Sequence, residues 1–275
     1  MPSYKSGKLA LHYEEHGTGE PLILLHGFAQ DGSAWIDPLP SYARFFRVIV
    51  MDMRGCGRSA VPEPGYTPKD VAADAIALMD HLGIASAHFS GFSLGGAAGL
   101  ELGIEHSNRL ISLSLHSTWE GGPCPSMRRW IDVRRRIVVA NDPVVNVGTR
   151  IVSFFSPEFA NAHEDRIEEF IRRSSANPHP ISPNGVAGHA EACLKHDVRG
   201  RLDRITAPTL ITVGSMDRST LPSQSHYLHE HIKDSELVLI DGCGHFTPFQ
   251  SPGEFVSISL GFLIKHKGRL TGAKT

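Results

Sequence analysis

Short aliphatic runs alternate with longer amphipathic stretches along most of this chain, and this alternation limits the folds open to it. Runs rich in Val, Ile and Leu that end at Gly or Asp are typical of buried parallel strands. Six such runs occur, at residues 22–26, 46–52, 87–90, 110–115, 208–214 and 236–241. Residues 69–82 and 94–105, between them, have the apolar spacing of helices. The pattern predicts an α/β fold with an open, mostly parallel sheet and helices on both faces. Residues 8–21 predict a β-hairpin arm that leads into the first central strand.

The alternation stops between residues 119 and 199, where no clean strand pattern occurs. Helical patterns at 127–139, 144–155 and 165–174 are separated by turn clusters such as Asn177-Pro178-His179-Pro180. Long insertions between sheet strands are usually lids or caps over a functional site. The sequence therefore predicts a core of residues 1–118 and 200–275, with a helical cap at 119–199.

Composition and charge exclude some classes of protein and of binding partner. The 275 residues are 41% hydrophobic and 20% charged, which excludes wholesale disorder. With 27 Lys and Arg against 29 Asp and Glu, the near-neutral balance argues against nucleic acid or a membrane as partner. No run of 18 apolar residues, no apolar leader and no CxxC pair occur, so we expect a cytoplasmic protein with reduced thiols. We expect a small-molecule substrate and a monomer or weak homodimer.

The sharpest motif is Gly91-Phe92-Ser93-Leu94-Gly95, which lies between a predicted strand and a predicted helix. A Gly-x-Ser-x-Gly sequence in this setting is typical of a nucleophile elbow, in which the serine projects from a strained turn above the sheet. Glycines are needed on either side because a Cβ there would collide with the neighbouring strand or helix. Ser93 is the predicted nucleophile.

A serine hydroxyl needs a base that removes its proton, and the base needs a carboxylate that orients it. His245 follows the last predicted strand in a loop loosened by glycines, and Asp217 follows the strand before it. Two other carboxylates compete with Asp217: Glu120 lies just past the fourth strand, and Asp241 is close to His245 in sequence. We favour the triad Ser93, Asp217 and His245.

Two backbone N–H groups should stabilise the oxyanion, and we assign those of Leu94 and of Phe28, in the loop after the first central strand. Large aromatic residues are candidates for lining a substrate cleft between cap and core. They are Phe28, Trp35, Trp119, Trp130, Phe154 and Phe246.

No cofactor or metal is predicted. A Walker loop is absent, and no GxGxxG follows the first strand. His226, His229 and His231 are close in sequence, but no carboxylate or cysteine stands at a matching distance, so a solvated helix face is the better interpretation.

Five ordered motifs together resemble the α/β-hydrolase fold superfamily. They are Leu24-Leu25-His26-Gly27, the Asp52 to Ser59 loop, Gly91 to Gly96, Pro208 to Asp217 and Gly244-His245. The resemblance implies that Asp217 and His245 are the triad acid and base, and that Phe28 and Leu94 occupy the oxyanion positions. Residues 155–159 and 196–210 are also similar to 3-oxoadipate enol-lactonases and related carboxylesterases. Haloalkane dehalogenases, which have Asp at the position of Ser93, do not match.

These observations predict a serine hydrolase that cleaves an ester or enol-lactone of a small organic molecule through an acyl-enzyme. Two alternatives stay open. The same triad could hydrolyse a C–C bond or support cofactor-free oxygenation, and the fold could instead serve a non-catalytic ligand sensor.

Overall fold

A computed structural model describes residues 2–122, 124–140 and 142–269. Its framework is one sheet with the strand order β1-β2-β4-β3-β5-β6-β7-β8. The strands are β1 (Ser3–Ser6), β2 (Leu9–His16), β3 (Glu20–Leu25), β4 (Phe46–Met51), β5 (Ala87–Phe92), β6 (Leu110–His116), β7 (Thr209–Gly214) and β8 (Ser235–Ile240).

Strands β4, β3, β5, β6, β7 and β8 pair in parallel, whereas β2 pairs antiparallel with both β1 and β4. Every residue of β5, β6 and β7 is buried, as expected for strands covered on both faces. The mostly parallel sheet confirms the predicted fold class.

Helices cover the two faces of the sheet. The helices outside the β6–β7 connection are α1 (Leu39–Tyr42), α2 (Pro68–His81), α3 (Leu94–His106), α9 (Pro222–His231), α10 (Thr247–Gln250) and α11 (Pro252–Lys265). Helices α2 and α3 contribute to one hydrophobic core, with Ile23 and Phe89 of the sheet. Helices α1 and α11 contribute to the second core, with Leu22 and Val48 on the other face. The alternation of these strand residues between two cores fixes the register of the sheet.

The connection between β6 and β7 contains the segment predicted as a cap. Among its described residues are the helices α4 (Pro125–Ala140), α5 (Pro143–Phe154), α6 (Pro157–Ala162), α7 (Glu164–Ser175) and α8 (Pro183–Lys195). Helix α4 packs against α5 and α8, and α5 packs against α7. Helices α4, α5 and α7 match the three predicted patterns to within two residues.

The structure differs from the predicted hairpin arm at the N-terminus. Strand β2 pairs with β1 and β4 rather than with β3. The physical reason is that β3 already has β4 on one side and β5 on the other, so it offers no free edge. None of the helices in the described ranges combines the length and apolar character needed to cross a bilayer.

Candidate active site

Ser93 lies between the end of β5 and the start of α3. Its backbone φ is 54° and ψ is −113°, a strained combination for a residue with a side chain. A Cβ on Gly91 would overlap the backbone of Gly95, and a Cβ on Gly95 would overlap the carbonyl oxygens of Leu25 and His26. The two glycines therefore allow the sharp turn that raises Ser93 above the sheet.

The turn is held by hydrogen bonds to the neighbouring strand. The Ser93 N–H donates to the carbonyl oxygen of His116 at 2.8 Å. The Thr118 hydroxyl donates to the Ser93 carbonyl oxygen at 2.9 Å. The backbone of Ser93 is thus fixed on both sides, which leaves only its side chain free to react.

Three side chains predicted to act together lie within hydrogen-bond distance. His245 Nε2 is 3.1 Å from Ser93 Oγ, and His245 Nδ1 is 2.8 Å from Asp217 Oδ2. All three residues are at least 93% buried. Each follows the carboxyl end of a parallel strand, β5, β7 or β8, so the sheet brings them to one edge. This geometry can carry a proton from the hydroxyl to the imidazole while the carboxylate stabilises the resulting cation.

The Asp217 carboxylate is held by further donors. Oδ1 accepts the backbone N–H groups of Ser219 at 2.8 Å and Thr220 at 3.0 Å. The Thr220 hydroxyl donates to Oδ2 at 2.9 Å and lies 3.3 Å from His245 Nδ1. Thr220 is 1% exposed. No sequence motif marks Thr220, whose contact with His245 spans 25 residues.

The two rival carboxylates do not contact His245 in the structure. Asp241 is exposed, and its Oδ1 accepts the hydroxyl of Ser215 at 3.1 Å. Glu120 is half-buried at the segment that bridges to Asp197, and burial raises the pKa of its carboxyl group. Asp217 is the carboxylate that meets the imidazole.

The loop expected to supply one oxyanion N–H passes beside the nucleophile. A Cβ built on Gly27 would lie 3.1 Å from the Ser93 Cβ. The Gly27 N–H donates to Gln30 Oε1 at 3.1 Å, and the Ala29 N–H donates to His189 Nδ1 at 3.1 Å. Ala29 has a φ of 53°. These bonds fix the backbone on both sides of Phe28.

His189, in α8, supports this loop and was not predicted from the sequence. Since Nδ1 accepts the Ala29 N–H, Nε2 must carry the proton that it donates to the Arg54 carbonyl oxygen at 2.9 Å. Burial lowers the pKa of His189 to about 3, so the ring is neutral and this tautomer persists. No local motif marks His189, since its partners lie 160 and 135 residues away.

The second expected oxyanion donor, the Leu94 N–H, is at the first turn of α3. The Ser93 side chain makes no capping hydrogen bond to this helix end. The amides of a helix N-terminus and its dipole favour negative charge. Leu94 and Phe28 thus stay predictions as oxyanion donors, on backbone that adjoins Ser93.

The structure separates the six predicted cleft aromatics into two groups. The Phe154 ring is 5.8 Å from the His245 ring and 5.5 Å from that of Phe246. The Trp130 ring, from α4, is 5.3 Å from that of Phe28. The Phe154 ring thus lies beside the imidazole of the predicted base, whereas Trp130 contacts Phe28 in the predicted oxyanion loop.

Trp119 and Trp35 are placed differently. Trp119 is fully buried, with its ring 5.3 Å from that of His196. Trp35 is 1% exposed and packs 6.3 Å from Phe255 of α11 and 6.1 Å from His116. Trp35 packs in the core beneath α11, and its place in a substrate cleft stays a prediction, because hydrophobicity alone does not distinguish core from cleft.

The end of α5 is bonded to the loops that carry the acid and the base. The Phe246 N–H donates to the Phe154 carbonyl oxygen at 2.9 Å. The Ser219 hydroxyl donates to the Ser153 carbonyl oxygen at 3.1 Å. Helix α5 is thereby connected directly to the residues next to His245 and Asp217.

A cavity of about 700 Å³ lies beside the triad. Its lining includes Ala29, next to Phe28, and Phe246, next to His245, and also Arg150 of α5 and Phe170 of α7. Ser93 and His245 themselves do not line it, so this cavity adjoins the reacting atoms without containing them. Within residues 2–122, 124–140 and 142–269, no group of three or more His, Cys, Asp or Glu side chains could hold a metal ion.

A family model described as the alpha/beta hydrolase fold matches residues 20–252, most of the chain. The chain belongs to the alpha/beta hydrolase fold family. The match covers the elbow, the acid and the base.

Similar proteins extend the comparison. A protein of Stutzerimonas stutzeri with the provisional name carbamate hydrolase RutD is 28% identical, over 96% of this chain and 100% of its own. The 3-oxoadipate enol-lactonase 1 of Acinetobacter baylyi is 27% identical, over 88% of each chain. The solved structure of a thermophilic esterase from Thermogutta terrifontis is 27% identical, with a TM-score of 0.82 over 96% of this chain and 97% of its own. The protein is an enzyme of the hydrolase class.

Proposed function

We propose that this hydrolase cleaves a carboxylic ester or lactone of a small organic substrate through an acyl-enzyme on Ser93. One observation carries the proposal: Ser93 Oγ, the His245 ring and the Asp217 carboxylate form a continuous hydrogen-bonded chain, with links of 3.1 and 2.8 Å. A serine in such a chain is activated as a nucleophile.

In the first half-reaction, Ser93 Oγ attacks the carbonyl carbon and His245 Nε2 takes the hydroxyl proton. The carbonyl π electrons move to its oxygen, which the N–H groups of Phe28 and Leu94 stabilise. When the tetrahedral intermediate collapses, the bond to the leaving oxygen breaks and His245 returns the proton to that oxygen. An alcohol, or the opened end of a lactone, is formed, and the acyl group stays on Ser93.

In the second half-reaction, water replaces the alcohol. His245 removes a proton from the water as it attacks the acyl carbon, and the same N–H groups hold the new oxyanion. The Ser93 bond then breaks, His245 gives the proton to Ser93 Oγ, and a carboxylic acid leaves. The proposal requires no metal or organic cofactor.

The named relatives support this reaction class, since an enol-lactonase and an esterase both act on acyl–oxygen bonds. The relatives named for carbamate hydrolysis favour a second candidate, a carbamate substrate attacked by the same serine. The two candidates differ in the atom attached to the carbonyl, so a substrate panel separates them.

The decisive experiment measures hydrolysis of 4-nitrophenyl acetate, a simple lactone and a phenyl carbamate by the wild type and Ser93→Ala. A fluorophosphonate probe, followed by peptide mass spectrometry, locates the reactive residue. Ser257→Ala is the matched control because Ser257 is exposed on α11, far from the triad. We expect labelling at residue 93, ester or lactone turnover, and loss of both in Ser93→Ala alone.

Other outcomes favour the alternatives. Ester turnover that persists in Ser93→Ala would refute the acyl-enzyme. Labelling at Ser93 without turnover of any ester, lactone or carbamate would favour C–C bond hydrolysis, cofactor-free oxygenation or a ligand sensor. We further propose a monomer or weak homodimer, without nucleic-acid or membrane partners, which light scattering of the pure protein at several concentrations checks for the oligomeric state.

A further inference from the structure

Two arginines of the predicted cap lie next to each other: Arg134, buried on α4, and Arg150, half-buried on α5. Arg134 is only 2% exposed, and Arg150 is half-buried and lines the cavity beside the triad. Arginine is almost never fully buried unless its charge is compensated. A group that compensates the charge of this pair is therefore expected.

The partners of both guanidinium groups are neutral. Arg134 Nη1 donates to the Asn146 carbonyl oxygen at 2.8 Å and lies 3.2 Å from the Thr149 hydroxyl. The Arg150 guanidinium lies over the rings of Phe154 and Phe170, at 5.5 and 4.8 Å from their centroids. The Nε atoms of both arginines are buried without a hydrogen-bond partner in the part of the chain that the structure describes.

Other arginines in the molecule are compensated by ion pairs with carboxylates. Arg54 pairs with Asp74 at 2.6 Å, and Arg201 pairs with Glu101 at 2.8 Å. No ion pair within the described residues involves Arg134 or Arg150. The Asp31 carboxylate raises the pKa of Arg150, but its oxygens already accept hydrogen bonds from Ser33 and Asn177.

The positive charge of Arg150 also disfavours protonation of Arg134. Burial first, and the charge of Arg150 second, lower the pKa of Arg134 to about 9. Burial lowers the pKa of Arg150 to about 10. Both groups are still cations at neutral pH. The predicted cap therefore holds two positive charges whose desolvation is not offset by an ion pair within the described residues. A bound carboxylate would remove that cost, since its oxygens match the N–H geometry of guanidinium.

Helix geometry places this pair close to the reacting atoms. Arg134 is one turn beyond Trp130, whose ring contacts Phe28, and Arg150 is one turn before Phe154, whose ring contacts His245. One turn of four residues advances about 6 Å along a helix. An acyl chain of several carbons could therefore join a carbonyl at Ser93 to a carboxylate at this pair.

We propose that Arg134 and Arg150 form a carboxylate-binding subsite, so that the preferred substrate carries a carboxylate at the end of its acyl chain remote from the scissile bond. This inference rests on the proposed ester or lactone hydrolysis. It adds the chemical class of the substrate, an ester or lactone of a dicarboxylic acid.

The test compares two esters that differ only in charge, 4-nitrophenyl hydrogen adipate and 4-nitrophenyl methyl adipate. Ser93→Ala measures the uncatalysed rate, including any internal attack by the free carboxylate. Hydrogen bonds to charged groups suggest a ratio of kcat/KM, acid over methyl ester, of about tenfold or more in the wild type. Arg150→Met and Arg134→Met should each lower that ratio at least about tenfold by the same reasoning.

Arg135→Met is the matched control, because Arg135 neighbours Arg134 on α4 but is exposed. It removes the same charge from the same helix, so it should keep the wild-type ratio. Arg150→Lys, which keeps the charge but loses the planar fork, should give a ratio between those of the wild type and Arg150→Met. If Arg135→Met lowered the ratio as much as Arg150→Met, bulk charge rather than a subsite would explain it, and the proposal would be wrong.

A binding measurement separates failure of the subsite from failure of the proposed function. Adipate at pH 7 should raise the Tm of the wild type and Arg135→Met but not of Arg150→Met, and neutral adipamide should raise none. Ester turnover with a ratio near one, and no Arg150-dependent shift with adipate, overturns the subsite and leaves ester hydrolysis intact. Absence of all turnover overturns the proposed function, and the adipate shift alone then decides whether the subsite exists.

Discussion

Replacing Thr220 by valine tests whether the acid of the triad needs its hydroxyl partner. Val is nearly isosteric, so the change removes the Oγ1 donor, at 2.9 Å from Asp217 Oδ2, with little change in packing. A hydrogen bond to a charged group contributes about 1.5 to 3 kcal/mol. Two backbone N–H groups still hold Oδ1, so the carboxylate stays in place but loses one of the donors that balance its charge.

If that stabilisation is lost when the His245 cation forms, kcat/KM for an activated ester should fall about tenfold to a hundredfold, since about 1.4 kcal/mol corresponds to tenfold in rate. The rate of fluorophosphonate labelling at Ser93 should fall in parallel. Thr220→Ser keeps the hydroxyl and should restore most of the activity. A Thr220→Val enzyme within twofold of the wild type in both assays, with an unchanged Tm, would refute the reasoning.

Three further predictions concern the oxyanion loop, the elbow and the buried histidines. His189→Ala removes the acceptor of the Ala29 N–H and should lower kcat/KM about tenfold, the loss expected for one buried hydrogen bond; an unchanged kcat/KM would show that the loop is held without it. Gly95→Ala should abolish activity and lower the Tm sharply because its Cβ overlaps backbone. In contrast, Gly261→Ala, in open space on α11, should raise the free energy of unfolding by about 0.5 to 1 kcal/mol. Equal Tm values for the two variants would contradict this expectation. Burial lowers the pKa of His116 and His189 to about 3 and that of His196 to about 4, so the folded state keeps them neutral while the unfolded state protonates them below about pH 6.5. The free energy of unfolding should therefore be constant above that pH and fall as the pH is lowered toward 4, by up to about 1.4 kcal/mol per pH unit for each histidine, and urea titrations that give a flat profile from pH 7 to 5 would contradict the neutral assignment.

The sequence predicted the sheet and the positions of Ser93, Asp217 and His245 because these features have local causes. A buried parallel strand needs a continuous aliphatic run, and the loops after parallel strands meet at one edge of the sheet. The elbow also has a local cause, since only glycine fits at positions 91 and 95. A short motif and its strand were therefore enough to place each of these residues.

The residues that support the site could not be predicted in this way. His189 acts through partners 135 and 160 residues away, Thr220 contacts His245 across 25 residues, and neither stands in a motif. Strand β1 and helix α8 were also missed, although Ser182 caps α8 by accepting the Gly185 N–H. Trp35, which the sequence predicted in the cleft, packs against Phe255, because large aromatic side chains fill cores as readily as they line clefts. In each case the local sequence pattern does not identify the distant residue that the side chain contacts.

The bonds between the end of α5 and the loops of the acid and base limit how this enzyme can diversify. A change near Phe154 that reshapes the space for a substrate also shifts the carbonyl oxygen that receives the Phe246 N–H, one residue from the base. A substitution at this junction therefore changes substrate selectivity and catalytic reactivity together. New specificities should arise more readily through substitutions on α4 and α7. Such substitutions change the space for a substrate and leave the hydrogen bonds between Ser93, His245 and Asp217 in place.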